Sequence, residues 1–320
     1  MNRIRIGMAA LGLFAAQFAM ADAYPTKPIT LVVPFSAGGG TDAVARLLAE
    51  KMKDGLKTSV IVENRPGASA QIGTRHVIDS AADGYTVLVA TTSLINSPYL
   101  FAKMPYDAMK QLRPVVSVAD MPIFLAVRQD LPAKNVAEFV ELAKKSDGKM
   151  NYGSAGPGTT LHLSAEWLKA NAGFKATHVP FKGSGQAVTA LSGGHVDWNM
   201  ENLSAVQAMT QANKVRLLAV AAPKRHPLTP DVPTLGESGL PNVNLATWSF
   251  LMVPSGTPDA VVARLNKEVN HVLAMPEVQD KLFKQGFVPT GGTPEETLQR
   301  MKDEAVQWST VIKSANISVQ

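Results

Sequence analysis

From residue 28 onward, short β-branched runs alternate with longer segments whose apolar positions recur every three or four residues. ITLVVPF (29–35) is apolar on both faces, the pattern of a buried strand. In Thr41–Lys53 the side chains of Val44, Leu47, Leu48 and Met52 share one face, which predicts a helix. SVIVEN (59–64) predicts the next strand, 71–81 a second helix, YTVLVAT (85–91) a third strand and Ile123–Arg128 a fourth. The rhythm continues with a helix at Val136–Lys145, a strand at MNYGSA (150–155) and a helix at Thr160–Ala172. A strand at THVPF (177–181), a helix at Ser184–Ser192 and strands at VDWNMEN (196–202) and Val215–Ala221 follow, and two long helices, 258–274 and 294–314, end the pattern. Such alternation predicts an α/β protein with mixed, mostly parallel sheets and helices on both faces.

Two stretches break the rhythm, Met104–Pro122 with three prolines and His226–Pro241 with both Pro and Gly. The block between them has its own strand–helix alternation, which predicts a second lobe, 123–249, inserted into a first lobe formed by 22–122 and 250–320. The chain then crosses between lobes near 120–125 and near 245–252. Two lobes joined by two crossings make a hinge over a cleft, a favoured place for a ligand.

The N-terminus follows a different logic. Arg3 and Arg5 precede an apolar run, Ile6–Ala21, ending in Ala19-Met20-Ala21. This predicts a signal peptide over 1–21, cleaved before Asp22, and hence a periplasmic chain that does not itself span the membrane. The run is about 16 residues, short of the roughly 20 that cross a bilayer. Without Arg3 and Arg5, the 31 basic residues become 29 against 26 acidic ones, a net charge of +3. That balance is too mild and too scattered to suggest nucleic acid as a partner. The absence of cysteine excludes disulfides, thiol catalysis and thiolate metal sites.

The candidate chemistry sits in two glycine-rich turns, each between a strand and a helix start. The first is Phe35-Ser36-Ala37-Gly38-Gly39-Gly40-Thr41-Asp42, and the second is Gly153-Ser154-Ala155-Gly156-Pro157-Gly158-Thr159-Thr160. Glycine permits close backbone approach, and a helix N-terminus offers unpaired N–H groups, so each turn is a candidate anion cradle. A helix-capping role alone is the alternative for either turn, and Asp42 reads as a cap or brace. Gly38–Ala43 also fits G-x-G-x-x-A with Glu63 ending the next strand, which leaves a dinucleotide-binding oxidoreductase open. His162 lies beside the second cradle. Lys182, Phe35, Phe181, Trp198 and Trp248 fall at strand ends, where they line a cleft or pack a core. No G-x-S-x-G or H-E-x-x-H occurs, and no two of the six histidines are spaced as helix ligands for a metal. No enzyme activity, cofactor or metal is expected.

Seven ordered segments, PFSAGGGTDAVAR (34–46), VENRPGASAQIG (62–73), DGYTVLVAT (83–91), NYGSAGPGTTLHL (151–163), THVPFKGSGQAVTALSGGHVD (177–197), PDVPTLGESGLP (230–241) and VPSGTPDAVVARLN (253–266), resemble the extracytoplasmic solute-binding receptors of tripartite tricarboxylate transporters, the TctC-like or Bug-type proteins. The resemblance covers nearly all of the chain beyond residue 21. It implies a two-lobed type II periplasmic-binding-protein fold, a monomer that closes on a small organic carboxylate and delivers it to membrane permease subunits. Di- or tricarboxylates, amino acids and aromatic acids all fit, and a sensor feeding a signalling partner would share the chemistry. The resemblance carries ligand contact to Phe35, Ser36, Ala37, Gly40, Asp42, Ser154, Gly156, Thr159 and Thr160. Gly38 joins them from the cradle, Thr92, Ser93 and Asn96 from the loop after the third strand, and His162 and Asn202 complete the expected lining. The run Trp198-Asn199-Met200-Glu201-Asn202 departs from the family's aliphatic pair and Asp-Asn, and Thr247-Trp248-Ser249-Phe250 from its Trp-x-Gly-Leu.

Overall fold

The computed structural model describes residues 24–101, 103–240 and 245–314. The expected signal peptide, 1–21, lies outside the described residues, and among these no helix is long and apolar enough to cross a membrane.

In chain order the elements are β1 (Ile29–Val33), α1 (Gly40–Leu56), β2 (Val60–Asn64), α2 (Gln71–Ile78), β3 (Thr86–Thr91), α3 (Thr92–Leu100), α4 (Ala108–Gln111) and β4 (Leu112–Met121). There follow β5 (Ile123–Arg128), α5 (Val136–Lys145), β6 (Asn151–Ser154), α6 (Thr160–Ala172), β7 (Thr177–Pro180), α7 (Ser184–Ser192), β8 (Trp198–Asn202), α8 (Leu203–Gln211) and β9 (Val215–Val220). The chain closes with β10 (Thr247–Pro254), α9 (Asp259–Leu273), α10 (Pro276–Lys284), β11 (Val288–Gly291) and α11 (Pro294–Ser314).

Two mixed sheets result, one ordered β11-β4-β10-β3-β1-β2 and the other β7-β6-β8-β5-β9. Pairings of β1 with β2 and β3, and of β6 with β7 and β8, are parallel, as helical crossovers require. The antiparallel share is larger than the alternation suggests, because β10 runs against both β3 and β4, and β5 runs against both β8 and β9. These antiparallel strands are the ones that carry the chain between the sheets. β4 ends at Met121 in the first sheet and β5 starts at Ile123 in the second, so Pro122 makes one crossing. In the reverse direction Leu245 N still bonds Ala221 O beside β9, while Thr247 already begins β10.

Each sheet is packed on both faces. Leu31 and Val33 face α1 and α9 residues such as Val44, Leu48 and Leu265, whereas Val32 and Leu88 face Trp248 and Met301. Each such fully buried aliphatic contributes roughly 1.5–3 kcal/mol. The second sheet has an aromatic centre, in which Trp198 stands 4.7 Å from Tyr152 and 5.4 Å from Phe139, ring centre to ring centre. Trp198 and Trp248 are therefore core residues, each fully buried. The C-terminal helix α11, expected with the first lobe, bridges both: Met301 packs on the first sheet and Trp308 and Ile312 on the second.

Candidate functional site

The N-termini of five helices converge between the sheets. Gly39 and Gly40 open α1, Thr91 and Ser93 open α3, Thr159 and Thr160 open α6, Ser184 opens α7 and Asn202 opens α8, and all of these residues line one inner cavity of about 30 Å3. Such a volume holds about two waters, or a group the size of a carboxylate. The first N–H groups of a helix have no intrahelical acceptor and carry a partial positive charge of about half an electron. In α1, α3, α7 and α8 no side chain caps them. By contrast, α5 is closed by Asn135, which accepts from Glu138 N. Only α6 at this site is capped, by Thr159 accepting from His162 N.

The lining contains no Lys or Arg, and its single carboxylate is Asp42. Asp42 is a brace. Its Oδ2 accepts from Gly38 N at 3.1 Å and Arg46 Nε at 2.9 Å, and its Oδ1 from Asn64 Nδ2 at 2.9 Å. Burial works to raise its pKa, but the bonds from Arg46, Asn64 and Gly38 outweigh it and hold the carboxyl below the usual range. The turn that Asp42 braces includes Gly38, whose φ of +89° suits glycine.

The second turn is braced from behind. Gly158 N donates to His162 Nδ1 at 3.0 Å, and Ser154 Oγ, which accepts from Gly156 N, lies 2.7 Å from His178 Nε2. The two imidazoles stack with centres 4.1 Å apart. Burial, with Lys169 nearby, holds His162 down to about 4, and burial together with His162 holds His178 to about 3. The approach of His162 Nε2 to Glu166 at 3.8 Å is thus that of a neutral ring, since the Glu166 carboxylate is engaged by Lys169 and by the hydroxyl of Tyr152.

Of the expected site residues, Phe35, Ser36, Gly40, Asp42, Ser93, Thr159, Thr160 and Asn202 surround the inner cavity. Gly156 lines an adjoining outer cavity of about 290 Å3, which shares Phe35 and Ala155 with the inner one. Ala37, Gly38, Ser154 and His162 line neither cavity, and Thr92 Oγ1 is occupied by Trp248 N. Asn96 is fully buried on α3 with neither amide atom bonded. Sequence reading missed Thr91, Ser184 and Thr247 in the inner wall and the 67–71 loop and Phe101 in the outer one. Ser184 had a signal, since it follows a glycine at a strand-to-helix turn. Thr247 lies in the run that departs from the family pattern but was not named as lining, and its buried hydroxyl has no partner among the described residues.

The lobes touch across this cleft. Thr160 N donates to Ser93 Oγ at 3.1 Å, and Ser36 N donates to Lys182 O at 3.2 Å. The first glycine turn packs on the start of α7, where a Cβ added at Gly39 would stand 3.4 Å from Ser184 Cβ. Asn202 Nδ2 donates to Met121 O and Pro122 O, tying the cavity wall to the crossing itself.

The profile of the tripartite tricarboxylate transporter family receptor, TctC, matches residues 44–317. Solved structures share the fold closely. An R. palustris protein solved with adipate is 34% identical with a TM-score of 0.90, covering 92% of this chain and 100% of its own. The periplasmic binding protein BugD is 33% identical with a TM-score of 0.89, covering 92% and 100%. MatC from Rhodopseudomonas palustris, with bound malate, is 32% identical with a TM-score of 0.87, covering 90% and 100%. The chain belongs to the TctC receptor family of tripartite tricarboxylate transporters.

Proposed function

We propose that this protein is a periplasmic receptor that captures a small organic carboxylate by closure of its two lobes and hands it to the permease subunits of a tripartite transporter. The observation that carries this reading is the convergence of five helix N-termini on one cavity that has no basic side chain. Oriented amides and hydroxyls there favour an anion through dipoles and, where distances exceed direct contact, through ordered water. Only closure brings Ser93 and Thr160, from different lobes, onto the same wall, so the ligand stabilises the closed arrangement by its differential affinity.

The inner cavity takes a carboxylate, and the rest of the ligand occupies the outer one. Phe35, Phe101 and Phe181 give that chamber apolar walls, and Lys182 gives it a cation that forms no ion pair among the described residues. Adipate and malate in the two solved relatives are carboxylates of this size class. Thermal unfolding of the chain from Asp22, against organic acids, their amides and nicotinamide cofactors, tests the reading. A ligand at about 100 times its Kd adds about 2.7 kcal/mol to the native state. Stabilisation by an acid and not its amide is the expected result, and stabilisation by NAD(H) alone would overturn it.

A further inference from the structure

Glu201 is the penultimate residue of β8, beneath the inner cavity, and its side chain is fully buried. Oε1 accepts from Ser184 Oγ at 2.8 Å and from Asn202 N at 3.0 Å, and both donors belong to residues of the cavity wall. Oε2 has no partner. A buried carboxylate with one bare oxygen is costly unless it is neutral, and burial, against the bonds from Ser184 and Asn202, raises this group to about 7.

Among the described residues no opposing charge faces it. α7 and α8 contain no ionisable side chain. On β5, Arg128 lies at the far end from Phe124, the partner of Glu201, and is engaged by Asp130 and Asp197. On β6, Tyr152 is bonded to Glu166. Across the cavity α1 brings only Asp42, already paired with Arg46. Lys182, two residues before Ser184, belongs to the outer chamber.

The direction of the Ser184 hydrogen bond then matters. While Glu201 is ionised, the Ser184 hydroxyl spends its proton on Oε1 and presents only lone pairs to the cavity. Those lone pairs, with the charge behind them, repel a carboxylate. When Glu201 carries a proton on Oε1, that O–H donates to Ser184 Oγ, and the Ser184 proton is free to point at the ligand. The same oxygen keeps a lone pair for Asn202 N.

Resting on the carboxylate-receptor reading, we propose that Glu201 is a proton-accepting positioning residue: an anion entering the inner cavity is accompanied by one proton from solvent onto Glu201, which reverses the Glu201–Ser184 hydrogen bond and turns Ser184 into a donor. The ligand is taken up as its anion plus a proton, and binding weakens as the solution becomes more alkaline.

Calorimetric titration at pH 8 in two buffers of different ionisation enthalpy, with acetate, succinate, malate, adipate and benzoate as probes, reads this directly. The expected result is an uptake approaching one proton per bound carboxylate, with affinity falling up to about tenfold per pH unit above neutrality. Glu201→Gln, which keeps an oxygen acceptor and no charge, should bind with no buffer dependence and a flat pH profile from 6 to 9. Ser184→Ala is the second variant: proton uptake persists, because the buried acid still answers the anion's field, while affinity at pH 6 drops roughly tenfold with the lost donor. A carboxylate that binds the wild type with no proton uptake, or with the same uptake in Glu201→Gln, overturns the inference and leaves the receptor reading standing. If none of the five probes binds at millimolar concentration, the receptor reading itself fails, and the inference with it.

Discussion

A Cβ built on Gly185 would stand 2.8 Å from the carbonyl oxygen of Ala37, on the opposite side of the cleft. The two residues belong to different lobes, α7 against the first glycine turn, and both contacting groups are backbone, so neither can swing aside. Gly185→Ala is therefore a test of closure. Alanine favours a helix over glycine by up to about 1 kcal/mol, so the free protein should be as stable as wild type or slightly more so. The closed form must shift to admit the methyl group, at an overpacking cost of about 1–3 kcal/mol. Calorimetry should show ligand affinity reduced by roughly 5- to 100-fold with the unfolding midpoint unchanged or raised. Unchanged affinity would mean that the ligand is held without this contact.

Acid and alkaline behaviour separate two sets of buried groups. His162 and His178 fall from 6.5 to about 4 and about 3 on folding. The unfolded chain then binds more protons than the native one, and their contribution to stability is lost as pH drops from 6.5 toward those values. Glu201, raised from 4.5 to about 7, runs the opposite way: its contribution is full below 4.5 and is lost as pH climbs through 7. From 4.5 upward Glu201 opposes the histidine pair, and Glu304, whose carboxyl is also raised by burial, works in the same direction as Glu201. Urea unfolding of wild type and Glu201→Gln between pH 5 and 8.5 should show the variant gaining on wild type as pH rises. The difference should level off above neutrality at a value on the order of 3 kcal/mol. A constant difference across that range would place the Glu201 carboxyl in an ordinary environment.

Much of this was legible in the chain because it rests on local physics. The helices Val136–Lys145, Thr160–Ala172 and Ser184–Ser192 begin and end where their apolar period does. The two glycine turns were legible as strand-to-helix junctions because runs of glycine break both periods, and residues of each line a cavity. β4 was not, because Pro105, Pro114 and Pro122 punctuate the segment as they would a linker. Pro114 is tolerated there because β11 pairs with β4 only from Ser117 to Asp120, so no ladder on that side needs its missing N–H. α3 read as a loop because Pro98 lies inside it. Thr247 and Ser184 reach the cavity through the way one lobe meets the other, and no period in the sequence encodes that.

Asp42 gives the first turn its shape, and removing it should separate brace from ligand. Asp42→Ala leaves Gly38 N without its acceptor, at about 1 kcal/mol, and the Asn64 amide with Phe35 O alone. The unfolding midpoint should fall, and ligand affinity should fall about tenfold as the turn relaxes. Because its folded pKa is below 3.8, the Asp42 contribution is present above 3.8 and is lost as pH falls through the folded value. The stability gap between wild type and Asp42→Ala should accordingly shrink on acidification below about pH 4. Had Asp42 instead gripped a ligand ammonium, the variant would lose affinity for amino acids while leaving the midpoint unchanged.

Lys182 distinguishes a ligand that ends in the outer chamber as an anion from one that ends there as an apolar body. The side chain is exposed at the chamber wall, beside Phe181 and facing the 67–71 loop. Between charges about 5 Å apart, at the edge of water, the Coulomb term is about 1–3 kcal/mol. Lys182→Gln should then weaken a dicarboxylate about 3- to 10-fold and Lys182→Glu further, while a monocarboxylate of the same length is less affected. The gap should narrow in 1 M salt, where the screening length is about 3 Å. If Lys182→Glu binds dicarboxylates as wild type does, the outer chamber selects by its phenylalanine walls, and aromatic acids become the better candidates for the bound solute.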